Sequence, residues 1–309
     1  MGNFLSEERE RMKQIERERL ERFLKQLDKG PDLRVSRSIK MFTSLESSDN
    51  LRQHYETRKM EAGDVAADLI KNLVDKLAGL ESAPQLAGLG ALAVAVFIDV
   101  ITFSPPEEST KDALRCVFAE EKASEVWDQI DECLKRCMMN INDDDELRSN
   151  ISRIECQLSA ALTKLKNSMV KDGHMTSPAL KAWVNGAAFH VQMLIHLVRL
   201  GGIQTCDPVQ RILSVYQSDI DPLFRKHKEM IEEKSSMKRM TRVLVPEGKF
   251  YVDEDSKLYD MHPFGSYDEY FEVYYEHRYD RQRCEIQQYF SDVRQNLQQL
   301  VDQRGSFNV

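Results

Sequence analysis

Leu86–Phe103 reads LAGLGALAVAVFIDVITF, eighteen residues with a single charge, Asp99, and no Lys or Arg. The chain as a whole is 30% charged, so this run stands apart from everything around it. Its length is near the lower limit for a membrane span and the upper limit for a buried helix. As a helix it extends about 27 Å, a little short of a hydrocarbon core of about 30 Å. Ala87, Ala91, Ala95 and Asp99 recur every fourth residue and share one face. Three small residues in a row let a second helix approach closely, and Asp99 then lies on the contact side. The flanks carry neither a Lys/Arg cluster nor a Trp/Tyr belt. Ser104-Pro105-Pro106 stops the run. It therefore reads first as a buried central helix. A constitutive span and a conditionally inserted helix are the alternatives.

Outward from this run the pattern is helical. A charged helix is expected from Ser6 to about Lys29, ended by Gly30-Pro31, with Met12, Ile15, Leu20, Phe23, Leu24 and Leu27 on its apolar stripe. A basic linker, Arg34 to Lys40, follows. A second helix is expected over about 49–77 and another over about 109–139. Over 146–171, Leu147, Ile151, Ile154, Leu158, Leu162, Leu165 and Met169 step by fours and threes, the seam of an antiparallel hairpin or coiled coil. Ser177-Pro178 and Asp207-Pro208 each read as a helix start, a capping residue followed by a first-turn proline. Past Lys234 the pattern changes. Val243-Leu-Val245 and Phe250-Tyr-Val252 around Pro246-Glu-Gly248 read as a β-hairpin. Ser266 with Glu269 is a capping box opening a last long helix to about Gln303.

The 309 residues carry a net charge of −8, with acids and bases interleaved. No basic face stands out, which argues against nucleic acid as a partner. The six cysteines have no framework spacing and read as free thiols in a reducing compartment. No apolar signal region follows Met1. Met1-Gly2-Asn-Phe-Leu-Ser6 instead fits an N-myristoylation motif with Gly2 as acceptor, although Ser6 also suits a plain helix cap. One myristate binds membranes only marginally, so a second contact is required.

Eight of the ten tyrosines lie after residue 250. Within 267–279, Tyr267, Phe271, Tyr274 and Arg278 share a helix face. Tyrosine buries area while its hydroxyl stays hydrogen-bonded, so the stripe suits either packing within the chain or a partner-binding face. Signs of chemistry are sparse. His190 and His196 are six apart and point to different faces of their helix. Cys133 and Cys137 lack a second Cys/His pair for a zinc site. Nothing assembles nucleophile, base and orienter, no cofactor is implied, and no metal set is present.

A charged helix, then the Gly/Ala-rich run, then Ser104-Pro105 and the amphipathic stretch LRCVFAEEKASEVWDQIDECLKRC resemble the rapunzel-type family of fish proteins in organisation, over about residues 65–154. That resemblance implies a developmental or structural role without chemistry, and no catalytic residue carries over. A purely architectural likeness is to α-helical pore-forming toxins, which keep an apolar helix packed until it meets a membrane.

The expectation is an all-α chain, an elongated multi-helix bundle around Leu86–Phe103, with a small β-hairpin before the last helix. Three segments are expected: a charged helix and basic linker (1–40), the bundle (41–234), and the hairpin with a Tyr-rich helix (235–309). The expected function is non-enzymatic: contacts with an unidentified protein at a membrane surface, in the cytoplasm, with acylation on Gly2 and homo-oligomerisation compatible with it. A membrane-inserting or pore-forming role for residues 86–103 is the alternative.

Overall fold

The computed structural model describes residues 11, 14–15, 17–27, 30–42, 121–140, 143–240, 247–261 and 265–302. Leu86–Phe103, with Ala87, Ala91, Ala95 and Asp99, lies outside the described residues, and so does Gly2. What is described is mostly helical with one small antiparallel sheet, and it divides into two compact units. A sheet unit falls within Met1–Asp32 and Phe224–Cys284; a helical unit falls within Leu33–Leu223 and Glu285–Val309. The division passes through two helices, α5 (Asp207–Glu233) and α7 (Arg281–Gln295).

The helical unit contains α1 (Arg37–Phe42), α2 (Glu121–Met139), α3 (Asp144–Val170), α4 (Ser177–Arg199), the first part of α5, α7 from Glu285 onward, and α8 (Leu297–Asp302). Helix α3 opens where Asp143 Oδ1 accepts the N–H of Glu146 at 3.0 Å, meeting one of the donors a helix start leaves unpaired. Its seven periodic residues, Leu147 to Met169, are each 0–1% exposed, so the seam read from spacing is the seam that packs. Each such side chain contributes roughly 1.5–3 kcal/mol on leaving water.

Helix α4 is buried on nearly every side. From Ser177 to Leu197 only Pro178, Lys181 and Asn185 are not buried. Helices α1, α2, α3 and α8 all pack against it. Its start falls one residue earlier than the spacing suggests: Thr176 Oγ1, not Ser177, accepts the N–H of Ala179 at 3.2 Å. A Cβ on Gly186 would lie 2.5 Å from Val126 Cγ1 and 2.8 Å from Leu162 Cδ2, so α2, α3 and α4 meet at a point where only glycine fits. Among the described residues the helix that others surround is therefore Ser177–Arg199. Its polar Asn185, His190, Gln192 and His196 make its sequence look like an ordinary half-buried helix. No helix among the described residues is long and apolar enough to cross a membrane.

The sheet unit holds β1 (Ser235–Met240), β2 (Glu247–Val252) and β3 (Lys257–Met261), antiparallel in the order β1-β2-β3. Phe250-Tyr-Val252 is strand, as expected. Its partner is Ser235–Met240, with Ser235 opposite Val252 and Met237 opposite Phe250. The expected partner, 243–245, lies outside the described residues. Strand β1, SSMKRM, has no β-branched or aromatic residue, so intrinsic preference gives it no signal; pairing with β2 imposes the conformation. Phe250, Val252, Tyr259 and Met261 alternate onto the buried face. A 3-10 turn, Asp253–Asp255, and Ser256 at φ 50° link β2 to β3. Helix α6 (Tyr267–Tyr275) starts at the expected cap, Ser266 Oγ accepting from Glu269 N–H at 3.2 Å. A π turn over Glu276–Asp280 separates α6 from α7, so the single long helix expected here is a series of three elements ending with α8.

Candidate functional site

The residues that bear chemistry gather in two places, one in each unit. In the sheet unit the stripe singled out from sequence divides. Phe271, Tyr274 and Arg278 are 2%, 0% and 4% exposed, and Tyr267 alone is half-buried. Tyr274 and Phe271 face the unit's own rings: Phe250 packs on Tyr274 at 5.5 Å between centroids, and Tyr267 stacks on Phe271 at 6.0 Å.

Arg278 is placed by the π turn, whose extra residue rotates it off the regular helical register. Its Nη1 donates to Asp255 Oδ1 at 2.6 Å and its Nη2 to Tyr259 Oη at 3.0 Å. Asp255 Oδ2 accepts from Tyr259 at 2.8 Å and from Tyr274 at 2.7 Å. The guanidinium carbon lies 4.6 Å from the Tyr274 ring centroid. Gly30, at φ 64°, closes the cage; a Cβ there would sit 2.7 Å from Arg278 Nη1. Burial works against the charge of Arg278 and the Asp255 carboxylate bonded to it favours that charge; the balance holds the guanidinium above its ordinary value. Burial also pushes the phenols of Tyr274 and Tyr279 up, so both stay protonated donors, Tyr279 to Glu254 Oε2 at 2.8 Å. This is a charge held by its neighbours on several sides, a joint between the β2–β3 turn and the π turn.

The N-terminal stretch belongs to the same unit. Phe23 is 1% exposed, edge-on to Phe250, Tyr259 and Tyr270. Gln26 lies along β3: its amide N–H donates to Asp260 O at 3.2 Å, and its amide oxygen accepts from Asp260 N–H at 2.8 Å. Nearby, His227 Nδ1 lies 3.0 Å from the Tyr275 hydroxyl, which itself donates to Phe224 O at 2.9 Å. The phenol has one proton, so the imidazole is the donor at Nδ1.

The helical unit holds a hydroxyl–imidazole–carboxylate array that sequence spacing does not reveal. His190 Nδ1 lies 2.6 Å from Tyr216 Oη and His190 Nε2 lies 2.7 Å from Glu155 Oε1. Glu155 also accepts from the exposed thiol of Cys156 at 3.4 Å. Burial raises the Glu155 carboxyl, but the hydrogen bond and charge of His190 outweigh it and leave it below the usual range. The bond to Glu155, then burial, raises the Cys156 thiol, which disfavours thiolate. Tyr216 is 5% exposed and its phenol is pushed up by burial, so the array ends in a buried neutral hydroxyl. It ties α3, α4 and α5 together by charge-assisted bonds. His196, on another face of α4, is 1% exposed, and neither ring nitrogen has a hydrogen-bond partner among the described residues. Among the described residues no group of three or more His, Cys, Asp or Glu could hold a metal ion.

Comparison of the chain with protein-family models, with curated proteins and with solved structures finds no match.

Proposed function

We propose that this chain is a non-enzymatic helical protein that works through protein contacts at a cytoplasmic membrane surface, held there by an acyl chain on Gly2. The observation that carries the reading is the N-terminal sequence Met1-Gly2-Asn-Phe-Leu-Ser6. The seating of Phe23 among Phe250, Tyr259 and Tyr270 supports it, because a lipid on Gly2 would be joined to a folded unit by a short stretch of chain. The buried polar groups support it as well: Arg278, Asp255, Glu155 and His190 are committed to one another. Similarity in organisation to the rapunzel-type family agrees with a structural role.

Membrane fractionation of cells expressing the wild type and Gly2→Ala tests the anchor. The wild type is expected in the membrane fraction and Gly2→Ala in the soluble one; equal distribution refutes it. The apolar run Leu86–Phe103 favours a second reading, membrane insertion. Dye release from liposomes by the wild type, abolished in Ala95→Arg, would establish insertion, and intact liposomes would remove it.

A further inference from the structure

The two outer edges of the sheet are treated differently. The edge of β3 is closed at Asp260, where the Gln26 amide supplies the donor and the acceptor that a neighbouring strand would supply. No described strand lies beyond β1. The N–H of Asp253 donates to Lys234 O at 2.9 Å, which fixes the phase of the β1–β2 ladder. In that phase Ser236, Lys238 and Met240 exchange bonds with β2, while the backbone groups of Ser235, Met237 and Arg239 point away from it. Sheet edges are often blunted by a lysine standing over them. Here Lys238 leans across the sheet instead, its Nζ 4.4 Å from the Tyr251 ring centroid.

We propose that this edge of β1 docks an extended acidic peptide as a fourth strand, and the proposal rests on the reading of the chain as a protein-contact module. Main-chain bonds to residues 235, 237 and 239 would hold the peptide, and side chains would select it. The strand SSMKRM carries two basic residues and no acid. On the outer face Ser236 and Lys238 are exposed, so acidic side chains of the added strand would stand beside Lys238. On the inner face Met237, opposite Phe250, is half-buried and suits an apolar side chain. The ligand is thus an alternating acidic–apolar segment. A second copy of this chain is the wrong occupant, because its own β1 offers basic residues and no acid to face Lys238.

Fluorescence anisotropy on the full chain tests this with three labelled peptides: alternating Glu and Val, alternating Lys and Val, and the Glu/Val peptide N-methylated at every other amide. Saturable binding of the Glu/Val peptide is expected, at least about ten-fold tighter than the Lys/Val peptide and weakened at least about ten-fold by N-methylation. Met237→Pro removes an outward N–H without touching the β1–β2 ladder, and the same loss is expected in it. Lys238→Glu should reverse the preference between the two charged peptides. The proposal is overturned if the Glu/Val peptide shows no saturation up to about 1 mM, a Kd near the limit of specific recognition. It is also overturned if both charged peptides bind equally, or if the N-methylated peptide binds like the parent. Soluble Gly2→Ala that still binds the peptide would separate this result from the membrane reading.

Discussion

Acidification should weaken the sheet unit through one histidine. His227 is 0% exposed, and burial pushes its imidazole down from the ordinary 6.5 to about 3. In the unfolded chain the ring titrates near its ordinary value, so between those two values only the unfolded state takes the proton. Stability is therefore complete above about pH 6.5 and is lost as the pH falls toward 3. Between pH 7.5 and pH 5.0 the expected loss from this group is about 2 kcal/mol, since each unit of pH below the unfolded value is worth about 1.4 kcal/mol. The assay is urea unfolding at both pH values, on the wild type and on His227→Phe. It should be followed by near-UV tyrosine dichroism, because Trp127 and Trp183 both belong to the helical unit. Other titrating groups contribute equally to both proteins and cancel in the comparison. The variant should lose about 2 kcal/mol less than the wild type over this range. Equal losses in the two proteins would refute the reasoning.

The remaining predictions concern packing and bonded charge. Gly186→Ala forces a Cβ against Val126 and Leu162; overpacking of about 1–3 kcal/mol exceeds the roughly 1 kcal/mol gained in helix propensity, so the midpoint of thermal unfolding should fall, and adding Val126→Ala should recover part of it. Arg278→Met strands the Asp255 carboxylate, 10% exposed, and should destabilise the sheet unit by about 3–5 kcal/mol in urea titrations. Leu158→Ala opens a cavity in the α3 seam and should lower stability by about 2–5 kcal/mol in the same measurement. Glu155→Gln removes the carboxylate that raises the Cys156 thiol, so alkylation of Cys156 by iodoacetamide at pH 8 should speed up, measured by mass spectrometry of the labelled peptide.

The parts legible in the sequence are those whose physics is local. The α3 seam follows from spacing alone, because a residue every three or four positions must share a face. Ser266 and Glu269 announce the start of α6 through a bond between near neighbours. Helix α4 hid its centrality, since its polar residues are satisfied, where they are satisfied, by partners far away: His190 by Glu155 and Tyr216. The strand β1 hid for a similar reason, its conformation being set by β2 and not by its own side chains. Arg278 was legible as one of a stripe. Its cage was not, because Gly30, Asp255 and Tyr259 come from a loop, a 3-10 turn and a strand that no one-dimensional period joins.

The glutamine on the edge of β3 also sets a valence. A protein with two open sheet edges can be extended at both, and copies can then polymerise without limit. With Gln26 bonded at Asp260, β1 is the edge that no described strand or side-chain amide caps. Whatever pairs there, the ladder of described strands meets Gln26 at its other edge. Gln26→Gly should lift that ceiling, and concentrated solutions of the variant would then show thioflavin-positive growth where the wild type stays dispersed.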